Sequence, residues 1–165
     1  IMRHIIEKAE EVLEEFGGRN IFETAENSGA KVWRRILGGL KGFYICENGS
    51  RYIVVNDELD GVTAAVVCAH ELGHDMLHRE LSVGGIRENT LFLSSDKTER
   101  EANLFAACVL ISDKTLIEEL SYCRSIDALA ANLGFPREIV MYKLETMNYK
   151  GYKFNLGDIR NNFLK

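Results

Sequence analysis

The sequence has no C-x-x-C pair, no surplus of positive charge, no long apolar run, no internal repeat and no low-complexity tract. Each absence closes a class of explanation. The four cysteines, Cys46, Cys68, Cys108 and Cys123, are far apart. Cys68 and Cys108 sit in apolar stretches of helical pattern, so they read as buried, reduced thiols, and the expected compartment is the cytoplasm. A net charge of −5 argues against a general nucleic-acid binder. No stretch is apolar for long enough to span a bilayer, so no membrane association is expected. Ile5-Ile6 is followed at once by Glu7 and Lys8, so the opening residues do not read as a secretory leader. What remains is a chain of 165 residues, 46% hydrophobic, enough for one domain with a sizeable core.

Against that plain background one stretch stands out: Val66-Val67-Cys68-Ala69-His70-Glu71-Leu72-Gly73-His74-Asp75-Met76-Leu77-His78. It contains H-E-x-x-H, and the run from Thr63 to Leu77 reads as a helix with apolar faces. Neither Gly nor Pro interrupts it before Gly73, and one internal glycine costs only about 1 kcal/mol. On a helix, residues four apart share a face, so His70 and His74 can offer two imidazoles to one tetrahedral zinc ion. Glu71 points about 100° away and reaches a water rather than the ion, which is the arrangement of a metalloprotease. The competing reading is a buried helix whose histidines bond to backbone. His78 lies too far along the helix, roughly 12 Å from His70, to share an ion with it. It is expected to support the site or the fold.

Around this helix the pattern changes in blocks. His4 to Phe16 carries an amphipathic stripe and ends at Gly17-Gly18; Ile21 to Asn27 reads as a short second helix. Lys31 to Leu37, Gly42 to Cys46 and Arg51 to Val55 read as three strands, turned at Gly38-Gly39 and at Asn48-Gly49. They predict a small antiparallel sheet, which either offers an edge strand to a substrate or only covers the helix. Arg79 to Lys97 reads as a polar loop, long enough to act as a lid. Thr98 to Ile111 is strongly helical, and Asp113 to Leu120 is a shorter helix. Ser125 to Leu133 and Arg137 to Met147, separated by Gly134-Phe135-Pro136, have helix–turn–helix spacing. Their apolar residues read more simply as core than as a DNA reader. The tail from Lys150 to Lys165 predicts a strand or a packing arm.

A hydrolytic zinc site takes a third protein ligand and keeps one position open. The candidates are Glu99 and Glu101, at the start of the Thr98 helix. Glu99 shares a face with Ala102, Asn103 and Ala106, whose small side chains permit close helix approach. From that face Asn103 can orient a ligating histidine. Glu101 shares its face with Leu104, Phe105 and Cys108. A capping box from Asp96 to Glu99 is the competing use of the Glu99 carboxylate. Tyr122, Tyr142 and Arg87 are conceivable stabilisers of an oxyanion.

Ala69-His70-Glu71-Leu72-Gly73-His74, Leu77-His78 and Glu99-x-x-Ala102-Asn103-x-Phe105-Ala106-Ala107 together resemble the ImmA/IrrE family of metallopeptidases. The resemblance extends from the N-terminal helix to the helical pair near Leu144. It implies zinc held by His70, His74 and Glu99, with Glu71 as general base. It implies a protein substrate as well, since several family members cleave helix-turn-helix repressors of phages and mobile elements, or related regulators. Where the family often ends the second helix with Leu-Met-Pro, this chain has Leu110-Ile111-Ser112. The expected architecture is α+β, a three-stranded antiparallel sheet packed on zincin-type active-site helices with a helical C-terminal portion. Residues 1–112 are expected to form the peptidase core and 113–165 to pack on the same domain. The expected function is a zinc-dependent endopeptidase. The alternatives are a DNA-binding regulator and a zinc-bearing sensor without catalysis, and direct nucleic-acid binding is not expected.

Overall fold

The structure is a computed structural model that describes residues 1–82 and 96–154. It is α+β. Helices α1 (Met2–Phe16) and α2 (Ile21–Asn27) precede strands β1 (Lys31–Arg35), β2 (Gly42–Glu47) and β3 (Ser50–Asn56). Helix α3 (Gly61–His78) follows and runs into a 3-10 turn, Arg79–Ser82. Then come α4 (Asp96–Leu110), α5 (Asp113–Leu120), α6 (Ile126–Leu133) and α7 (Arg137–Tyr149). Most of the expected lid, residues 83–95 with Arg87, and the tail from 155 onward lie outside the described residues.

The sheet corrects the all-antiparallel expectation. The strand order is β1-β3-β2. β2 and β3 form the expected hairpin, antiparallel from Gly42↔Val55 to Glu47↔Ser50. Its turn uses Asn48 at φ 50° and Gly49 at φ 77°, the left-handed pair a two-residue hairpin requires. β1 does not turn back on β2. It runs parallel to β3 on the other side, from Lys31↔Tyr52 to Arg35↔Asn56. The reason lies in β3. Ile53, Val54 and Val55 are consecutive and 0%, 5% and 0% exposed. An apolar run buried on both faces belongs in the middle of a sheet, with the more polar strands at its edges. Asn56 fixes the crossover: its Nδ2 donates to the carbonyls of Gly38 at 3.1 Å and Leu40 at 3.0 Å.

Helix α3 begins at the N-cap Asp60, whose carboxylate accepts from Thr63 N at 2.9 Å. One side of α3 packs on the sheet at van der Waals limit: a Cβ on Gly42 would lie 2.5 Å from Val67 Cγ1. The other side packs along α4, where Ala102, Phe105 and Ala106 are wholly buried. Helix α7 covers α4 from behind and also meets α1. Its inward face holds Ile139, Val140, Lys143, Leu144, Thr146 and Met147. The helix that a DNA reader would present to a groove is thus built into the core, and Lys143 is 2% exposed, bonded to Asp113 Oδ1 at 2.6 Å.

Candidate metal centre

The α3–α4 crossing brings His70, His74 and Glu99 together. His70 Nε2 lies 3.1 Å from His74 Nε2. The Glu99 carboxylate bridges the pair, Oε2 at 3.1 Å from His70 Nε2 and Oε1 at 3.2 Å from His74 Nε2. A tetrahedral ion with bonds of about 2.0–2.1 Å holds its donors roughly 3.3 Å apart. These spacings fit that figure, and they are the one grouping of metal-capable side chains found among the described residues. The Glu99 side chain is 41% exposed against 18% and 17% for the two histidines, so the cluster opens to solvent on the α4 side.

The hydrogen bonds behind the cluster decide its chemistry. Asn103 Oδ1 lies 2.9 Å from His70 Nδ1. A carbonyl oxygen only accepts, so the His70 proton sits on Nδ1 and Nε2 is a bare lone pair. His74 Nδ1 likewise faces a ring nitrogen, His78 Nδ1, at 3.1 Å. Burial first, then the neighbouring His70 and His78, lower the His74 pKa to about 3, so this ring is neutral at physiological pH. The cluster therefore gathers two imidazole nitrogens and one carboxylate within hydrogen-bond distance of one another. Without a cation or a shared proton, these acceptors repel. The donor set is one that a divalent transition metal satisfies.

Glu71 stands outside the trio, half-buried on the flank of α3 that meets β2. Burial, then the Glu99 carboxylate, push its pKa up to about 8, against a smaller opposing pull from the Tyr44 backbone N–H. A carboxyl poised near neutrality is suited to taking and returning a proton, and a cation in the site would lower its pKa. The Tyr44 N–H that faces Glu71 belongs to an edge strand among the described residues, where β2 pairs with β3 alone.

The glutamate pair divides as the helix geometry predicts, one carboxylate per site. Glu99 meets His70 and His74, and Glu101 does not join them. Yet Glu101 is more than a neighbour of core residues: its Oε2 lies 2.9 Å from His78 Nε2. Tyr122 is 81% exposed after α5. Tyr142 packs its ring under the Arg100 guanidinium at 5.8 Å. Arg87 is outside the described residues.

Sequence reasoning missed a second cluster behind α3. Asp75 is wholly buried and accepts from Tyr44 Oη at 2.7 Å, Arg51 Nη1 at 2.5 Å and Arg79 Nε at 3.0 Å. It pins the metal helix to β2 and β3. The available signal was a lone acidic residue in the apolar part of α3, with Arg51 facing it from a strand.

The sequence matches the family described as the IrrE N-terminal-like domain over residues 25–145, which includes every residue of the cluster. The "Uncharacterized immunity region protein 2" of Bacillus phage phi105 is 36% identical over 104 residues, 63% of this chain. The match spans 65% of that protein, a little under two thirds of its length. The "Metallopeptidase ImmA" of Bacillus subtilis (strain 168) is 30% identical over 141 residues, 83% of this chain and 82% of that one. The family match over residues 25–145 and the long match to the Bacillus subtilis relative, on a chain whose two crossing helices bring the H-E-x-x-H histidines and a glutamate together, make this protein a member of the ImmA/IrrE family of metallopeptidases.

Proposed function

We propose that this chain is a zinc-dependent endopeptidase of the cytoplasm that cleaves a helix-turn-helix repressor of a phage or mobile element. The observation that carries the peptidase reading is the triangle of His70 Nε2, His74 Nε2 and Glu99, with edges of 3.1–3.2 Å. Glu71 stands beside it. Three protein donors leave a fourth position for water and substrate, the pattern of a hydrolytic site. Zinc, when bound, supplies a Lewis acid that polarises the scissile carbonyl and makes the attacking water more acidic. His70, His74 and Glu99 hold it. Glu71 takes the water's proton and returns it to the leaving amine, a role worth typically about 10²–10⁴-fold. Among the described residues β2 is an edge strand, and its outer edge, which passes Glu71, gives an extended substrate segment a backbone to pair with.

The repressor is proposed because the phage relative is named for an immunity region and because of the family resemblance. Residues 1–112 carry the whole site. We assign 113–165 to the same domain, since among the described residues α7 packs on α4 and α1, and Lys150 bonds to Glu10.

The test is incubation of zinc-loaded protein with the repressor encoded beside its gene. Cleavage at a defined bond is expected, and Glu71→Gln should retain zinc while losing cleavage by about 10²-fold or more. Equal cleavage by that variant would refute the assignment of Glu71. A zinc titration tests the ligands: Glu99→Ala should lose affinity by far more than Glu101→Ala, and the reverse order would sink the Glu99 assignment.

A further inference from the structure

We infer that His78 and Glu101 form a positioning relay, which holds His74 in the one tautomer that turns its Nε2 lone pair toward the metal. This rests on the zinc reading of the site. The argument starts from Glu101, whose Oε2 lies 2.9 Å from His78 Nε2. A carboxylate only accepts, so the proton of that bond belongs to His78 Nε2. With that proton committed at Nε2, His78 offers His74 the lone pair of Nδ1. That atom is 3.1 Å from His74 Nδ1, and two ring nitrogens at this distance need one proton between them. His74 must supply it. With its proton committed at Nδ1, His74 presents a bare Nε2, 3.1 Å from His70 Nε2 and 3.2 Å from Glu99 Oε1.

One carboxylate, acting through an intervening ring, thus decides which nitrogen of His74 faces the cation. Burial makes the choice firm. The His78 side chain is 8% exposed and Glu101 16%, so water competes poorly for these bonds. The other oxygen of Glu101 faces Lys97 Nζ at 3.9 Å. The two ligating rings are therefore oriented by different means. Asn103 serves His70 directly with a neutral amide, and Glu101 serves His74 through His78. The spacing of His70, His74 and His78, each four residues apart, lays the three rings in a row along α3. Neighbouring centroids are 4.7 and 5.3 Å apart.

The experiment compares three variants by zinc competition against a chromophoric chelator, alongside thermal unfolding of the metal-free proteins. His78→Phe fills the space without an acceptor. Glu101→Leu removes the acceptor at the end of the relay, and Glu101→Gln keeps an acceptor oxygen while losing the charge. Loss of an outer partner of this kind typically lowers metal affinity about 10–100-fold. That loss is expected in His78→Phe and Glu101→Leu, with Glu101→Gln within about threefold of the parent. Nitrogen-15 spectra of the metal-free parent should show His74 protonated at Nδ1, and Glu101→Leu should show a mixture of tautomers. Zinc affinity unchanged in both His78→Phe and Glu101→Leu overturns the relay, as does Glu101→Gln binding as weakly as Glu101→Leu. A merely structural role would lower the unfolding temperature and leave the tautomer and the zinc affinity of the folded protein unmoved. A parent that binds no zinc overturns the reading of the site, and the relay with it.

Discussion

Glu71 and His74 are neighbours on α3 with opposite responses to burial. The Glu71 carboxyl is raised from 4.5 to about 8 in the metal-free site, and the His74 imidazole is lowered from 6.5 to about 3. Burial penalises the charged form of both, and the charged form is the deprotonated one for the acid and the protonated one for the base. The consequences for stability have opposite signs. The folded protein retains a proton on Glu71 that the unfolded chain releases. That contribution is complete below pH 4.5 and is lost as pH rises to about 8. For His74 the contribution is complete above pH 6.5 and is lost as pH falls toward 3. From pH 4.5 to 6.5 the two slopes oppose, and above 6.5 Glu71 alone of the two still titrates between the folded and unfolded states. Urea unfolding in excess chelator should therefore show stability falling between pH 6.5 and 8, by on the order of 1–2 kcal/mol. The slope should flatten in Glu71→Gln. A slope unchanged by that substitution would mean that another group carries it.

The crossing of α3 and α4 depends on Gly73. A Cβ there would meet the Ala102 Cα and carbonyl oxygen, each at 3.1 Å, and Phe105 Cδ1 at 3.2 Å. The partners are mostly backbone and cannot swing aside. A glycine in a helix is worth about 1 kcal/mol less than alanine, so Gly73→Ala sets a propensity gain against a squeeze of a few tenths of an ångström. Its net effect on stability should lie within about 1 kcal/mol. Gly73→Val adds bulk with no space to receive it and should destabilise by about 1–3 kcal/mol. It should also weaken zinc binding, because Glu99 rides on α4 one turn before Ala102 and would leave with it. Wild-type zinc affinity and urea midpoint in Gly73→Val would show that the crossing does not set the site.

At the scale of the molecule, charged side chains join elements far apart in sequence. Lys150 bonds to Glu10 and to Asp113, both at 2.7 Å, and buried Lys143 bonds to the other oxygen of Asp113. Helices α1, α5 and α7 meet at this node, behind α4 and away from the cluster. Removing one partner of a buried pair typically costs 3–5 kcal/mol, because the other charge is stranded. Asp113 is 36% exposed, so solvent reduces that figure. Asp113→Ala should destabilise by roughly 2 kcal/mol. Adding Lys143→Met should recover much of the loss, since the stranded ammonium is then gone. Denaturant midpoints decide it, and a double variant no more stable than Asp113→Ala would argue against the node. Zinc affinity should be unchanged in both.

The sequence by itself determined the helices, the hairpin and the candidate donors, because each of these is written in local chemistry. Four-residue spacing puts His70 and His74 on one face, Asn48-Gly49 accepts the left-handed turn, and Asp60, Ser112 and Ser125 cap their helices through bonds no more than three residues away. The separation of Glu99 from Glu101 was legible too, since a helix cannot turn both toward one point. What only the tertiary structure decided are the pairings between residues far apart in the chain. The side of the hairpin that β1 would join depended on burying Ile53-Val54-Val55 on both faces, a requirement of the assembled sheet. Glu101 looked like part of an apolar helix face because its partner, His78, is 23 residues away and meets it only at the α3–α4 crossing. Asp75 looked like a stray charge for the same reason: Tyr44 and Arg51 are 31 and 24 residues distant. Spacing along a helix names the residues that share a face, and packing alone names what that face meets.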